Sequence, residues 1–101
     1  MYNRIELIQG DTYETALEIN GLTDFTIIDK VTFSSADLGF CKTLTFNTKE
    51  KNYSLILLPE ETDRCKEGRY DYDITIKFKD KNVLTIIYKG EIVVLLKKNR
   101  C

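Results

Sequence analysis

The acidic residues between Glu60 and Asp73 are the densest set of side chains that could do chemistry in this sequence. Six carboxylates in this stretch could in principle bind calcium or act as paired acid and base on a glycosidic bond: Glu60, Glu61, Asp63, Glu67, Asp71 and Asp73. Arg64, Lys66 and Arg69 alternate with them, and the spacing is not that of an EF-hand loop. We interpret the stretch as a solvated turn whose charges neutralise one another, and we predict no metal site.

The sequence contains no histidine, which removes the usual base near neutral pH and the commonest nitrogen ligand of zinc. Serine–histidine–aspartate hydrolases, cysteine–histidine proteases and histidine-containing zinc sites are therefore excluded. No GxGxxG, Walker, GxSxG or HExxH motif is present. The sequence predicts a protein that is not an enzyme, with no catalytic residues and no cofactor.

The three cysteines, Cys41, Cys65 and Cys101, are odd in number, widely spaced and free of any CxxC pair. Secreted disulfide scaffolds usually carry an even and denser set. The first residues contain no apolar run of signal-peptide length. We expect folding in a reducing cytoplasm with three free thiols, and a Cys41–Cys65 disulfide remains the alternative.

Charge and composition favour a β protein that binds neither nucleic acid nor membrane. Fifteen basic and sixteen acidic residues give a net charge of −1, whereas nucleic-acid binders normally carry a basic excess. The basic residues Lys97, Lys98 and Arg100 are interpreted as a solvated tail. No apolar run approaches the ~18 residues of a membrane span. With 11 Ile, 11 Thr and 4 Val against 2 Ala, the composition suits pleated sheets.

Arg69–Lys79 is the clearest predicted strand, because its apolar and polar residues alternate without a fault. Ser35–Lys42 is predicted to be a loop. Asp29 interrupts the alternation of the third strand, which indicates either the edge of the domain or a bulge near Ile28. The other predicted strands are Arg4–Gln9, Tyr13–Asn20, Phe25–Ser34, Thr43–Asn47, Tyr53–Leu58, Val83–Tyr88 and Glu91–Leu96.

Seven to eight short strands predict one domain over residues 1–101, an all-β, immunoglobulin-like antiparallel β-sandwich. At most one short helical turn is expected, near residues 59–67, because Pro59 and two glutamates begin it and Gly68 follows it. Tyr70 stands where immunoglobulin sandwiches place a tyrosine corner, and a simple core aromatic is the alternative. Tyr72 takes the place of the second cysteine of antibody domains.

Apolar residues occur at consecutive positions in Leu55–Leu58, Val83–Tyr88 and Ile92–Leu96, where the outer strands of a small sandwich should alternate. Either these are central strands covered by loops, or one of their faces packs against another subunit. The residues assigned to a possible interface are Leu84, Ile86, Tyr88, Ile92, Val94 and Leu96.

The order of several short motifs resembles a family of small tailed-phage and prophage virion proteins. The motifs are Ile8-Gln9-Gly10-Asp11-Thr12, Pro59-Glu60-Glu61-Thr62, Gly68-x-Tyr70-x-Tyr72-Asp73-Ile74, Thr85-Ile86 and Gly90. Over about Ile5 to Leu96 they are similar to the N-terminal immunoglobulin-like domain of phage upper baseplate proteins and to stand-alone virion proteins of this size. Gln9 departs from the arginine expected there.

The resemblance implies fold-defining roles for seven residues. Gly10, Asp11 and Thr12 would form the turn between the first two strands, and Gly68 and Tyr70 would make the corner. The outward face of the following strand would carry Asp73, and the last turn would need Gly90. Because upper baseplate proteins continue into a further long region, a stand-alone module of the capsid, connector or tail is expected.

The expected function is that of a structural virion component that folds in the host cytoplasm and docks onto other virion proteins. We expect it in several copies or as a homo-oligomer, bound through a sheet edge or the apolar stretch of Val83–Leu96. Two alternatives stay open. One is a carbohydrate- or receptor-binding module using Tyr13, Tyr53 and Tyr88, and the other is a phage-encoded intracellular regulator.

Overall fold

The computed structural model describes residues 4–19 and 24–97, and these residues form eight strands and two short helical turns. The helical turns are α1 (Pro59–Asp63), which lies where the one turn was predicted, and a 3-10 turn at Phe25–Ile27, which the prediction of at most one turn did not include. The strands are β1 (Arg4–Ile8), β2 (Tyr13–Leu17), β3 (Ile28–Ser35), β4 (Phe40–Thr43), β5 (Thr45–Asn47), β6 (Asn52–Leu57), β7 (Gly68–Phe78) and β8 (Val83–Leu95).

Two sheets pack face to face, one in the order β1-β8-β7-β3-β4 and the other in the order β2-β6-β5. The predicted all-β, immunoglobulin-like sandwich is confirmed. The expectation of a wholly antiparallel sandwich is wrong for one pair, since β1 runs parallel to β8 with Arg4 opposite Glu91 and Ile8 opposite Leu95. A parallel pair needs a long crossover, and the rest of the domain supplies it between these two strands.

The core lies between the sheets and takes alternate residues from the strands. In β7, Tyr72, Ile74 and Ile76 are buried and the residues between them are not, as the alternation predicts. The Phe33 ring lies 5.4 Å from the Tyr72 ring, centroid to centroid, and joins the middle of β3 to β7. The largest fully buried apolar side chains are Phe33, Leu7, Leu57, Ile76, Ile92, Val31 and Val94.

A bulge, not the edge of the domain, explains the broken alternation at Asp29. The pairing of β3 with β7 shifts register between Ile28 and Lys30, so that Ile28 and Val31 both face the core. The chain before Ile28 is a 3-10 turn instead of the predicted strand. The Asp24 carboxylate caps this turn by accepting a hydrogen bond from the Thr26 amide at 3.0 Å.

The segment predicted as a loop contains strand β4. Gly39 has a φ of +74° and closes a tight hairpin, which returns Phe40 to the buried side of the sheet opposite Ser35. Buried Leu44 then separates β4 in the five-stranded sheet from β5 in the three-stranded sheet. The alternation of apolar and polar residues does not indicate two separate strands here, because β4 has four residues and β5 only three.

The two strands predicted after residue 82 are a single strand, β8, with 13 residues. It pairs with β7 from Val83, opposite Lys77, to Val94, opposite Gly68. No turn forms at Lys89–Gly90, because β7 is itself 11 residues long and offers a partner along both halves. The predicted role of Gly90 in a last turn is therefore wrong.

Glu61 holds helix α1 to the neighbouring strand β4. Its carboxylate accepts a hydrogen bond from the Leu58 amide at 3.0 Å and binds the Lys42 ammonium group at 2.7 and 2.8 Å. The Leu58 amide is one of the donors that a helix N-terminus leaves without an intrahelical partner. The Leu58 amide and the Lys42 charge lower the pKa of the Glu61 carboxyl below its ordinary value.

We predict that Glu61→Gln destabilises the domain by about 1 kcal/mol near pH 7, since it loses charge-assisted hydrogen bonds. A carboxyl with a lowered folded pKa stabilises the fold above its unfolded pKa, and this contribution disappears as pH falls through the folded pKa. The difference in unfolding free energy between wild type and variant should therefore shrink in acid. Urea titrations across pH measure it, with Glu60→Gln on the exposed side of the same turn as control. A difference that persists at low pH contradicts the assignment.

Candidate interaction surface

The turn between β1 and β2 is built by Gly10 and Asp11 and packs on helix α1. Gly10 has a φ of +81°, and the Asp11 amide donates to the Ile8 carbonyl at 3.0 Å. The Thr62 hydroxyl donates to the Asp11 carbonyl at 2.7 Å, and the Lys97 ammonium group lies 2.7 Å from the Asp11 carboxylate. These contacts join the first turn to α1 and to the residues after β8.

Tyr70 has the geometry of a tyrosine corner. Its side chain is half-buried, and its hydroxyl donates to the Lys66 carbonyl at 2.9 Å, across the bend that precedes β7. Gly68 lies inside this loop with a φ of +153°, and a Cβ there would stand 3.3 Å from the Tyr70 hydroxyl. The absence of a side chain at Gly68 thus leaves room for the Tyr70 ring at the bend. Thr12, the third residue of the first turn, is exposed.

Cys41 and Cys65 are both free thiols, one exposed and one buried, so the alternative of a Cys41–Cys65 disulfide is wrong. Cys101 lies outside the described residues. Burial raises the pKa of the Cys65 thiol, and the Gln9 side-chain amide donates to the Cys65 carbonyl at 2.6 Å. Cys65 therefore belongs to the packing of the loop between α1 and β7 against the first turn.

The ring of Tyr72 lies directly over Gly90, its partner across the β7–β8 ladder. A Cβ at Gly90 would overlap the Cε1 atom of Tyr72, so the ring or the strand would have to shift. Gly90, which has no side chain, therefore leaves the space that the buried Tyr72 ring occupies. Burial raises the pKa of the Tyr72 hydroxyl, in keeping with its place in the core.

Asp73 secures an irregularity in β8 immediately before Gly90. Its carboxylate accepts a hydrogen bond from the Lys89 amide at 2.9 Å, and Lys89 has a φ of +54°. The pairing shifts register between Tyr72 and Ile74, so one residue of β7 faces two of β8. Sequence reasoning placed Asp73 on the outward face without this role. The sequence feature that could have indicated this irregularity is the Lys89-Gly90 pair inside an apolar run.

The six residues assigned to a possible interface separate into two groups on either side of this irregularity. Ile92 and Val94 are 0% and 1% exposed, so their assignment to an interface is wrong. Leu84 and Tyr88 are 51% and 71% exposed, and Ile86 is half-buried. Leu96 is exposed just beyond the end of β8.

The difference arises from the strands on either side of β8. In its second half, β8 lies between β7 and β1, and β1 pairs only with Glu91–Leu95. In its first half, β8 has β7 on one side and no other strand among the described residues on its second side. We call the segment Val83–Tyr88 the open edge of β8.

A small apolar cleft lies between the sheets next to the open edge. Its volume is about 190 Å³, and its walls include Ile74 and Ile87 from one sheet and Tyr13, Leu17 and Leu55 from the other. Exposed apolar residues also lie elsewhere: Ile56 and Leu58 on and just beyond β6, Ile8, Leu95 and Leu96 at the ends of β1 and β8, and Ile27 in the 3-10 turn. The open edge reaches this cleft through Ile87.

The three tyrosines considered for carbohydrate binding do not form one platform. Tyr53 is buried with its ring 5.0 Å from that of Phe46, and Tyr13 faces the core, where burial raises its pKa. Only Tyr88 is open to solvent, beside a cleft of about 340 Å³ whose lining includes Asp71 and Asp73. Within the described ranges, no cluster of His, Cys, Asp or Glu is suited to a metal ion, and no helix is long and apolar enough to cross a membrane.

We predict that Gly90→Ala lowers the free energy of unfolding by roughly 2 kcal/mol, because the added methyl group displaces the buried Tyr72 ring. Urea denaturation followed by tyrosine fluorescence measures the loss. In a Tyr72→Val background the same substitution should cost much less, since the ring is gone. Equal costs in both backgrounds would show that the ring is not the obstacle.

Comparison with known proteins supports the fold alone. No family model matches the sequence, and no curated protein matches it. A structure of fibronectin(III)-like modules of CbhA from Clostridium thermocellum aligns with a TM-score of 0.53 at 13% identity, over 95% of this chain and 43% of that one. A glycoside hydrolase from Bacteroides vulgatus ATCC 8482, itself described as putative, aligns at 0.47 and 17% identity, over 92% of this chain and 16% of that one. The chain thus spans less than half of either structure and has an immunoglobulin-like, fibronectin(III)-like β-sandwich fold.

Proposed function

We propose that this chain is a structural component of a tailed-phage or prophage virion, which docks onto other virion proteins of the baseplate, tail or capsid. It folds in the host cytoplasm and joins the particle in several copies. The observation that carries the proposal is the open edge of β8, where a backbone edge that no other described strand pairs with coincides with exposed apolar side chains.

Exposed sheet edges are normally protected in monomeric proteins, by charge, shortness, bulges or covering elements. The four outer strands follow that rule, since β1 carries ion-paired Arg4 and Glu6, β4 carries Lys42, β2 carries exposed Glu14, and β5 has three residues. The open edge of β8 carries no charged side chain from Val83 to Tyr88. A partner that pairs with this edge would satisfy its backbone groups and cover its apolar residues.

The second half of β8, which follows the open edge in the same strand, fixes the position of that edge in the fold. β8 runs on from Tyr88 into the core, where Ile92 and Val94 are buried, and the Tyr72 ring covers Gly90 between the two halves. A preformed edge binds without the entropic cost of ordering a loop. The virion setting itself rests on the resemblance of the Gly10–Thr12 turn and the Gly68–Ile74 segment to phage virion proteins.

The test compares two apolar-to-lysine substitutions in particles of the phage or prophage that encodes the chain. Leu84→Lys places a charge on the open edge, and Ile56→Lys places one at a residue of similar exposure on the other sheet. Leu84→Lys should reduce the copies per particle about tenfold or more, and Ile56→Lys should leave them near wild type. Quantitative mass spectrometry of purified particles measures both, and thermal melts verify folding.

Absence of the wild-type protein from purified particles would refute the virion role. Normal incorporation of a folded Leu84→Lys variant would instead show that docking uses another surface.

A further inference from the structure

We infer that the open edge of β8 pairs with the open edge of a second copy, antiparallel and about a two-fold axis. The two five-stranded sheets would then join into one continuous sheet across the dimer. This inference rests on the proposed docking role of the same edge and names its partner.

Self-pairing is favoured because two copies related by a two-fold axis form a closed dimer. A two-fold contact uses the same surface on both copies, so both uncharged, apolar edges are covered at once and no edge of this kind remains. Pairing of β8 with any other edge of the domain would leave one open edge at each step and would build a filament. The other outer strands are also short or charged, since β5 has three residues and β1, β2 and β4 each carry a charged side chain.

The side chains of the open edge are complementary under this symmetry. Leu84 pairs with buried Ile76, so it faces the inside of the sandwich, yet it is 51% exposed because no strand of residues 4–19 or 24–97 lies beyond it. Ile87 pairs with Ile74, and both line the apolar cleft. An axis close to Thr85 and Ile86 brings Leu84 of each copy next to Ile87 of the other, where it covers the mouth of the cleft.

The charges at the ends of the open edge permit the same arrangement. Asp80 and Lys81 precede it and Lys89 and Glu91 follow it, one acid and one base at each end. An antiparallel pair about this axis brings Asp80 of one copy near Lys89 of the other, while Glu91 is already ion-paired with Arg4 and Arg69 of its own copy. The segment between these ends is uncharged and contributes no repulsion.

Two irregularities in β8 restrict which strands can pair with the open edge. The β7–β8 pairing shifts register around Ile86 and again at Tyr88–Lys89, so one irregularity lies beside the proposed axis and the other at the end of the open edge. Bulges increase local twist and hinder the addition of an arbitrary strand. A second copy has the same twist and the same irregularities, which suits pairing over a few residues.

Disulfide trapping tests the two-fold axis. Thr85→Cys, in a chain whose Cys41 and Cys101 are replaced by serine, places one thiol near the axis and leaves buried Cys65 in place. Mild oxidation should give roughly tenfold more covalent dimer than Thr45→Cys, the matched exposed threonine on β5 of the other sheet. Equal trapping of the two variants would overturn the inference.

Sedimentation of the wild-type chain gives the independent readout. We expect a species of twice the 11.8 kDa chain mass, which Leu84→Lys converts to monomer while Ile56→Lys does not. A wild-type monomer, or a filament, overturns the two-fold pairing. If the Leu84→Lys variant is nevertheless lost from particles, the docking role stands and the partner is a different virion protein.

Discussion

The packing of the Tyr72 ring on Gly90 is the contact on which the arrangement of β8 depends. It lies where the exposed half of β8 meets the buried half. Beside it, the Lys89 amide donates a hydrogen bond to the Asp73 carboxylate and fixes the irregularity in β8. After this point β8 lies between two strands and supplies Ile92 and Val94 to the core. Before it, the same strand has one neighbour among the strands that the structure describes and leaves Val83, Leu84 and Tyr88 exposed. The Tyr72–Gly90 contact thus lies at the boundary between the half of β8 that pairs with β1 and the half that we propose for docking.

The parts of the fold that sequence predicts well are those with a local signal. The faultless alternation of β7 leaves one face for the core, and the proline and glutamates around Glu61 specify a helical turn. The bend at Gly68 places Tyr70 within reach of the Lys66 carbonyl, because a short loop restricts where the ring can go. Each of these features is decided by residues within about ten positions of one another.

The parts that sequence could not predict depend on distant partners. Ile86 and Ile92 have the same side chain and similar neighbours in sequence, yet one is half-buried and the other fully buried. The difference is the position of β1, which pairs with Glu91–Leu95 from the opposite end of the chain. Likewise, a glycine within an apolar run indicates a turn, and only the ring of Tyr72 on the partner strand shows why it lies inside a strand.

Hydrogen exchange of the backbone amides of β8, in the free domain and in the assembled particle, tests the central claim most directly. An open edge leaves outward-pointing amides in Val83–Tyr88 exposed to solvent, whereas those of Ile92–Val94 lie within the sheet. Our account predicts that assembly slows exchange in Val83–Tyr88 and changes little in Ile92–Val94. Unchanged exchange in Val83–Tyr88, with new protection on another strand, would contradict it.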